Sequence, residues 1–318
     1  MRMYSIYPSL LDKFQDLLHY DLVAEQPWNK VSEAAHNRGQ YLDKEVDDYI
    51  LSPDEMAAKI ELELINSINR CPKEPNEAAD AGTCFNEVVD CLIKGKNTDR
   101  KDMTIRTLRR EDGTPYAIEA CLNDFTFYYD VHLCKDIAHY FRGAMCQYLV
   151  QGCLDTKYGE VTLYGYIDEW IGDRIYDIKT TSMYDFGKFQ DKTQKLVYPY
   201  CAVESGMVDS IDSFEYSVIK WKKNNRDVVY TTRMCSDGID NMNDYEKVVE
   251  KPIDVWKGEF FREVYTYNHE SAKNTLRMIC ERFIEWLTYR KEFITDKKIF
   301  GGENPEGYQG ELLTSLNK

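Results

Sequence analysis

The strongest alternation of apolar and polar positions runs from Val161 to Thr181, VTLYGYIDEWIGDRIYDIKTT, where β-branched and aromatic residues fill two arms around Gly172-Asp173. A two-residue connection of this kind predicts a tight hairpin in which Ile171 faces Arg174. Counting outward along the arms sets Asp168 opposite Asp177. Lys179, two residues on, then shares their face, as do Tyr164, Tyr166 and Trp170.

Other periods organise the rest of the chain. Residues 1–70 read as helical, with a short amphipathic segment opening at Ser9-Leu10-Leu11-Asp12-Lys13-Phe14. Ser52-Pro53-Asp54-Glu55 is a capping box with Pro at the first helical position, opening a helix to about Asn69 that Cys71-Pro72-Lys73-Glu74-Pro75 stops. Phe85, Val88, Val89, Leu92 and Ile93 recur at helical spacing and predict a helix over Asp80–Ile93, with Glu87 bordering its apolar stripe. A hairpin is expected over Met103–Arg110 and Tyr116–Leu122, then a helix from about Asp136 to Tyr148 and a strand near Gln147–Leu154. Beyond the central hairpin the pattern predicts a helix to about Val203, kinked or bounded at Pro199, since proline removes a backbone donor. Strands follow at Ser213–Lys220 and Val228–Arg233 around a turn at Asn224-Asn225, then a helix from about Glu270 to Phe293 and a mobile tail from Gly301. No internal repeat is present.

Composition changes this picture little. Of 318 residues, 43% are hydrophobic and 13% aromatic, which argues for a globular protein. The net charge of −15 is unexpected for a partner of nucleic acid, whose phosphates call for a basic footprint. Two basic runs stand against it. Lys94, Lys96, Arg100, Lys101, Arg106, Arg109 and Arg110 form one; Lys220-Trp221-Lys222-Lys223 with Arg226 sets an aromatic among cations, as single-strand binding surfaces do. Either run alone reads as a solvated edge; beside an acidic site they read as phosphate tracks. The ten cysteines contain no C-x-x-C pair, so a zinc knuckle or disulfide framework is not signalled and a reduced, cytoplasmic setting is expected. No run of eighteen apolar residues occurs, so no membrane span is expected. The histidines show no ligand spacing, and His139 reads as an ordinary helix side chain.

The chemistry lies in the hairpin. Opposed residues of an antiparallel pair have Cβ atoms about 4.5–5.5 Å apart, where like charges destabilise the sheet. Asp168 and Asp177 therefore need a counter-charge. Lys179 supplies part of it, and two hard oxygen donors this close also suit Mg²⁺ or Mn²⁺. The bland alternative, a cross-strand ion network on a wet sheet face, fits the aromatic neighbours poorly, because uncompensated carboxylates are costly among them.

Gly165-x-x-Asp168 followed by Asp177-Ile178-Lys179 resembles the PD-(D/E)XK nuclease superfamily, in particular its RecB-like and phage exonuclease branches. Ala81-Gly82-Thr83-Cys84-Phe85-Asn86-Glu87-Val88-Val89-Asp90 is similar to that family's ligand-bearing helix, where members often carry His at the place of Asn86. Gln194-x-x-x-Tyr198 is similar to its Q-x-x-x-Y helix, and Ser9-x-Leu11-x-x-Phe14 to its opening S-x-L-x-x-F segment. The resemblance implies an α/β fold, a central mixed sheet flanked by helices. Residues 76–300 would form the nuclease core, 1–75 a helical elaboration and 301–318 a flexible tail.

It also implies Mg²⁺, with Mn²⁺ able to replace it, held by Asp168, Asp177, Glu87 and the main-chain carbonyl of Ile178. Glu119, on a predicted strand, is the alternative to Glu87. Lys179 would orient or deprotonate the attacking water, and Gln194 and Tyr198 would hold the site and the DNA strand. The activity so implied is that of a metal-dependent DNA nuclease, an exonuclease or end-processing enzyme leaving 5′-phosphates, with DNA and a recombination or replication protein as partners. A nuclease fold without catalysis, serving as a DNA-binding or assembly subunit, is the alternative that the acidity favours; action on RNA is a third. No iron–sulfur cluster is expected, because Cys201, Cys235 and Cys280 lie too far apart after the hairpin.

Overall fold

The computed structural model describes residues 3–21, 52–110, 112–222, 234–237, 245–246 and 253–300. It is an α/β protein built on a mixed six-stranded sheet with helices on both faces. Strand β1 (Met3–Ile6) and helix α1 (Pro8–Leu18) lead into α2 (Pro53–Ile68) and α3 (Glu77–Lys94). A β-meander follows: β2 (Met103–Arg109), β3 (Pro115–Leu122) and β4 (Phe125–Asp130). Then come α4 (Val131–Tyr140), β5 (Met145–Thr156), β6 (Gly159–Ile171), β7 (Arg174–Thr181) and α5 (Gln194–Glu204). Strands β8 (Ser213–Lys222), β9 (Met234–Asp237), β10 (Tyr245–Glu246) and β11 (Lys257–Thr266) precede α6 (His269–Tyr289).

The main sheet runs β1-β6-β7-β8-β11, with β5 also on β6; a second, antiparallel sheet runs β10-β9-β2-β3-β4. Strand β6 is the axis. Strand β5 pairs with it from Gly159 to Trp170 and so occupies one edge. The other edge is divided: β1 pairs with Glu160–Leu163 and β7 only with Glu169–Ile171. Between them β6 stands at a fork in the sheet. The hairpin itself has the expected register, Ile171 facing Arg174 across Gly172-Asp173.

Two hydrophobic layers hold the sheet. On one face α1, α2, α5 and α6 bring Leu10, Phe14, Leu64, Val197 and Phe283 against Leu163, Ile175 and Phe214. On the other, α3, α4 and the second sheet bring Phe85, Val88, Tyr129 and Ile137 against Tyr176, Ile178 and Trp221. Removing solvent from each such side chain contributes about 1.5–3 kcal/mol. The capping box of α2 is complete: the Glu55 amide donates to Ser52 Oγ and the Ser52 amide to Glu55 Oε2. Helix α6 is capped by Asn268, whose side chain accepts from the Ser271 amide.

Several elements differ from the sequence reading. The first residues are not all helical, since β1 joins the main sheet in parallel with β6. The expected helix 136–148 is replaced by α4, which lies earlier and ends at Tyr140, and by β5; Gly143 at φ +86° turns the chain between them. Tyr140, Phe141, Met145 and Tyr148 match a helical period by coincidence across that turn. Pro199 sits inside α5, which continues through it. Strands β4 and β11 are not among the expected elements. Val228–Arg233, the Asn224-Asn225 turn and the tail from Gly301 lie outside the described residues. No helix among the described residues is long and apolar enough to cross a membrane.

Candidate active site

The fork between β6 and β7 creates the site. The β6–β7 ladder ends at Glu169 opposite Tyr176, one pair short of Asp168 and Asp177. There the backbone bond is replaced by a side chain: the Ile178 amide donates to Asp168 Oδ2 at 2.8 Å. Asp168 is thus tied to the strand carrying Asp177 while its own strand veers away. Gln147 of β5 donates to Asp168 Oδ1 at 3.2 Å from a left-handed backbone, φ +54°. The pair Gln147/Asp168 is missing from an otherwise regular β5–β6 ladder, which resumes at Tyr148–Ile167 and at Cys146–Glu169.

Both strands turn over at this break. Leu163 and Ile167 enter the layer of α5 and α6, whereas Glu169 approaches α3. Trp170 consequently packs in the Leu163 layer rather than sharing a face with Tyr164 and Tyr166, contrary to the expectation from a regular strand.

Asp177, 2% exposed, receives Gln194 Nε2 on Oδ1 at 2.7 Å and has Lys179 Nζ 2.6 Å from Oδ2. Apart from this close ion pair, no donor reaches Asp177 Oδ2, so that oxygen keeps lone pairs open. Gln194 also donates to the Tyr198 hydroxyl at 3.2 Å. Four residues apart on α5, the two side chains share one helix face, as their spacing predicts. Gly165 makes this possible: a Cβ there would lie 2.5 Å from Tyr198 Cε1. The glycine of Gly165-x-x-Asp168 is therefore where the tyrosine ring meets β6.

Helix α1 braces the same helix from behind. Asp12 accepts from the Thr193 amide and hydroxyl, both at 2.7 Å, at the start of α5. Nothing in the sequence links residues 181 positions apart; the only sign is that Asp12 sits inside the Ser9–Phe14 segment.

Electrostatically the site is strained toward cation binding. Burial, and then the neighbouring Asp177, push the Asp168 carboxyl up to about 7. Burial also raises Asp177, against the lowering effect of Lys179 and Gln194. Burial alone would lower Lys179, but Asp177 and Asp168 outweigh it and raise the ammonium, which stays charged. The buried Asp177 and the part-buried Asp168 beside one ammonium leave an excess of negative charge once both are ionised, which a divalent ion would neutralise.

Glu87 is not brought to this cluster. Its carboxylate accepts from Thr98 Oγ1 at 2.6 Å and lines a cavity of about 290 Å³ with Lys94, Lys96, Asn97 and Arg100. The stripe of α3 that meets the hairpin carries other residues. Gly82 lies against Thr180, where a Cβ would come within 2.8 Å of Oγ1, and Asp90 stands by Glu169. Asn86, midway between them at helical spacing, falls on that stripe, and its Oδ1 is buried without a hydrogen-bond partner. Glu119 is on β3 of the second sheet, opposite Arg106.

The basic runs also differ from expectation. Lys94 pairs with Asp90, Lys96 with Asp99 and Arg100 with Asp102, so three of the seven cations of the first run are locally compensated. Trp221 is 8% exposed and stacked on Tyr129 in the core, not offered to a base. Lys223 and Arg226 lie outside the described residues. Instead, Lys135, His139 and Arg142 of α4 and its end line a cleft of about 340 Å³ with Leu92 and Ile93. The 142–147 segment links this cleft to Gln147 and hence to Asp168, a span of at most about 18 Å of chain.

No protein-family model and no curated protein sequence matches the chain.

Proposed function

We propose that the fork is the centre of a metal-dependent phosphodiesterase of PD-(D/E)XK type acting on DNA. The observation that carries this reading is the convergence at one break in the sheet of Asp168, Asp177 and Lys179, with Gln194 on Asp177 at 2.7 Å. An ion network serving stability alone would be better replaced by apolar residues, because buried charges seldom repay their desolvation. The donor set fits Mg²⁺ or Mn²⁺: two carboxylates with open lone pairs, the Ile178 carbonyl, and the orphaned amide oxygen of Asn86 as a candidate in place of Glu87. A bound ion would polarise the phosphate and lower the pKa of a coordinated water.

The chain's own residues do the remainder. Lys179, held as a cation, donates to the attacking water or to a phosphate oxygen and offsets charge that builds in the transition state. Gln194 fixes the Asp177 rotamer, and Tyr198 fixes Gln194. Ile178 N–H holds Asp168. Lys135, His139 and Arg142 give the backbone of a nucleic-acid strand an approach on an otherwise acidic protein. The products would be 5′-phosphates.

End-labelled linear DNA and a closed circle, incubated with Mg²⁺, Mn²⁺ or a chelator, test this. Metal-dependent loss of linear DNA that Asp177→Ala and Lys179→Ala each reduce by about 10³-fold or more is expected, and survival of the circle marks an exonuclease. If no DNA or RNA is cut with any metal while both variants remain folded, the reading is wrong and a binding role replaces it.

A further inference from the structure

On the far side of the same turn-over lies a second cluster. Asp90 of α3, Cys146 of β5 and Glu169 of β6 each offer one ligand atom, all within 4.8 Å of one another. Asp90 is 1% exposed and Glu169 is fully buried. Neither Glu169 oxygen has a hydrogen-bond donor, nor has Asp90 Oδ1. Among the described residues the one cation in contact is Lys94, 3.1 Å from Asp90 Oδ2. A buried carboxylate with no donor on either oxygen costs several kcal/mol, so either a proton shared with Asp90 or a metal ion belongs there.

We infer that Asp90, Cys146 and Glu169 form a binding site for a thiophilic divalent cation of the Zn²⁺ class, separate from the hard-metal fork. A thiolate beside two carboxylates selects zinc over magnesium. Bonds of about 2.0–2.3 Å give a tetrahedral edge of roughly 3.5 Å, so the three atoms need close by only about an ångström. The charges balance: the ion's two positive charges and the Lys94 ammonium meet the three negative charges of the two carboxylates and the thiolate. Binding expels two protons to solvent, that of the Cys146 thiol and that shared by Asp90 and Glu169, and forms the sulfur–metal and oxygen–metal bonds, with no change of oxidation state. The fourth position falls to the second Glu169 oxygen or a water. Lys94 stays on Asp90 as an outer partner.

Such an ion would clasp three elements far apart in sequence, where β5 and β6 turn over beside Asp168. The inference does not rest on nuclease activity. Chelator-treated protein titrated with Co²⁺, a coloured stand-in for Zn²⁺, tests it. A thiolate-to-cobalt charge-transfer band that saturates at one equivalent per chain and that Zn²⁺ displaces is expected, whatever Co²⁺ the fork also takes up. Cys146→Ser should abolish the band, and Glu169→Gln should weaken binding beyond the roughly 10–100-fold that outer-shell changes cost. Asp177→Asn should leave the band intact, which separates this site from the fork. Absence of the band in folded wild-type protein, or its persistence in Cys146→Ser, overturns the inference. Should Glu169→Gln bind Co²⁺ as tightly as wild type, a proton shared by Asp90 and Glu169 explains the pair instead.

Discussion

An acidic pair lies on each side of the hairpin, and the two pairs are solved differently. On the fork side every carboxylate is met: Asp168 by the Ile178 amide and Gln147, Asp177 by Gln194 and Lys179. On the far side Glu169 has no donor and Asp90 shares one lysine. The contrast shows that two acidic pairs flanking one hairpin can be given quite different hydrogen-bond partners. The fork is surrounded by residues that orient its oxygens, and its Asp168 is only part-buried; both carboxylates of the far cluster are buried.

The pH response should separate the two most strongly. A carboxyl whose native pKa is raised binds more protons folded than unfolded, so its contribution to stability is full below the unfolded value and is lost as pH rises through the native one. Burial and then Asp90 push Glu169 up to about 10. In chelator-treated protein Glu169→Gln should therefore stabilise at pH 8–9, by on the order of 5 kcal/mol, with no gain near pH 4. Urea unfolding at the two pH values measures this, and equal effects at both would remove the distinction. Asp168, titrating near 7, loses its contribution earlier. Asp168→Asn should flatten the fall in stability between about pH 4 and 7, by up to roughly 4 kcal/mol.

Gly165→Ala tests whether the fork's geometry matters beyond its charges. The added methyl would meet the Tyr198 ring, and overpacking of this kind costs about 1–3 kcal/mol. It should also lower kcat more than it raises KM, because Tyr198 holds Gln194 and Gln194 holds Asp177. A variant with the full stability loss and unchanged kcat would detach α5 from the chemistry.

Much of the fork is legible in the sequence because its parts are local. A two-residue turn fixes register, so Asp168, Asp177 and Lys179 can be placed by counting, and Gln194 and Tyr198 by helical spacing. What escapes depends on tertiary context. The turn-over at Gln147 and Asp168 sends Glu169 to the opposite layer, which no regular alternation foretells. Glu87 reads as the helix ligand because it borders the apolar stripe, yet Thr98, eleven residues on, takes its carboxylate. Trp221 reads as a stacking platform, but the second sheet covers it with Tyr129, and Trp256 closes over it as well. Asp12 meets Thr193 only because β1 carries α1 onto the sheet.

Electron paramagnetic resonance of Mn²⁺ titrated into the protein distinguishes a hard-metal site at the fork from one at the far cluster. Asp168→Asn and Asp177→Asn should each abolish tight Mn²⁺ binding, while Cys146→Ser should leave it unchanged. Undiminished Mn²⁺ binding in both fork variants would contradict a hard-metal site at the fork.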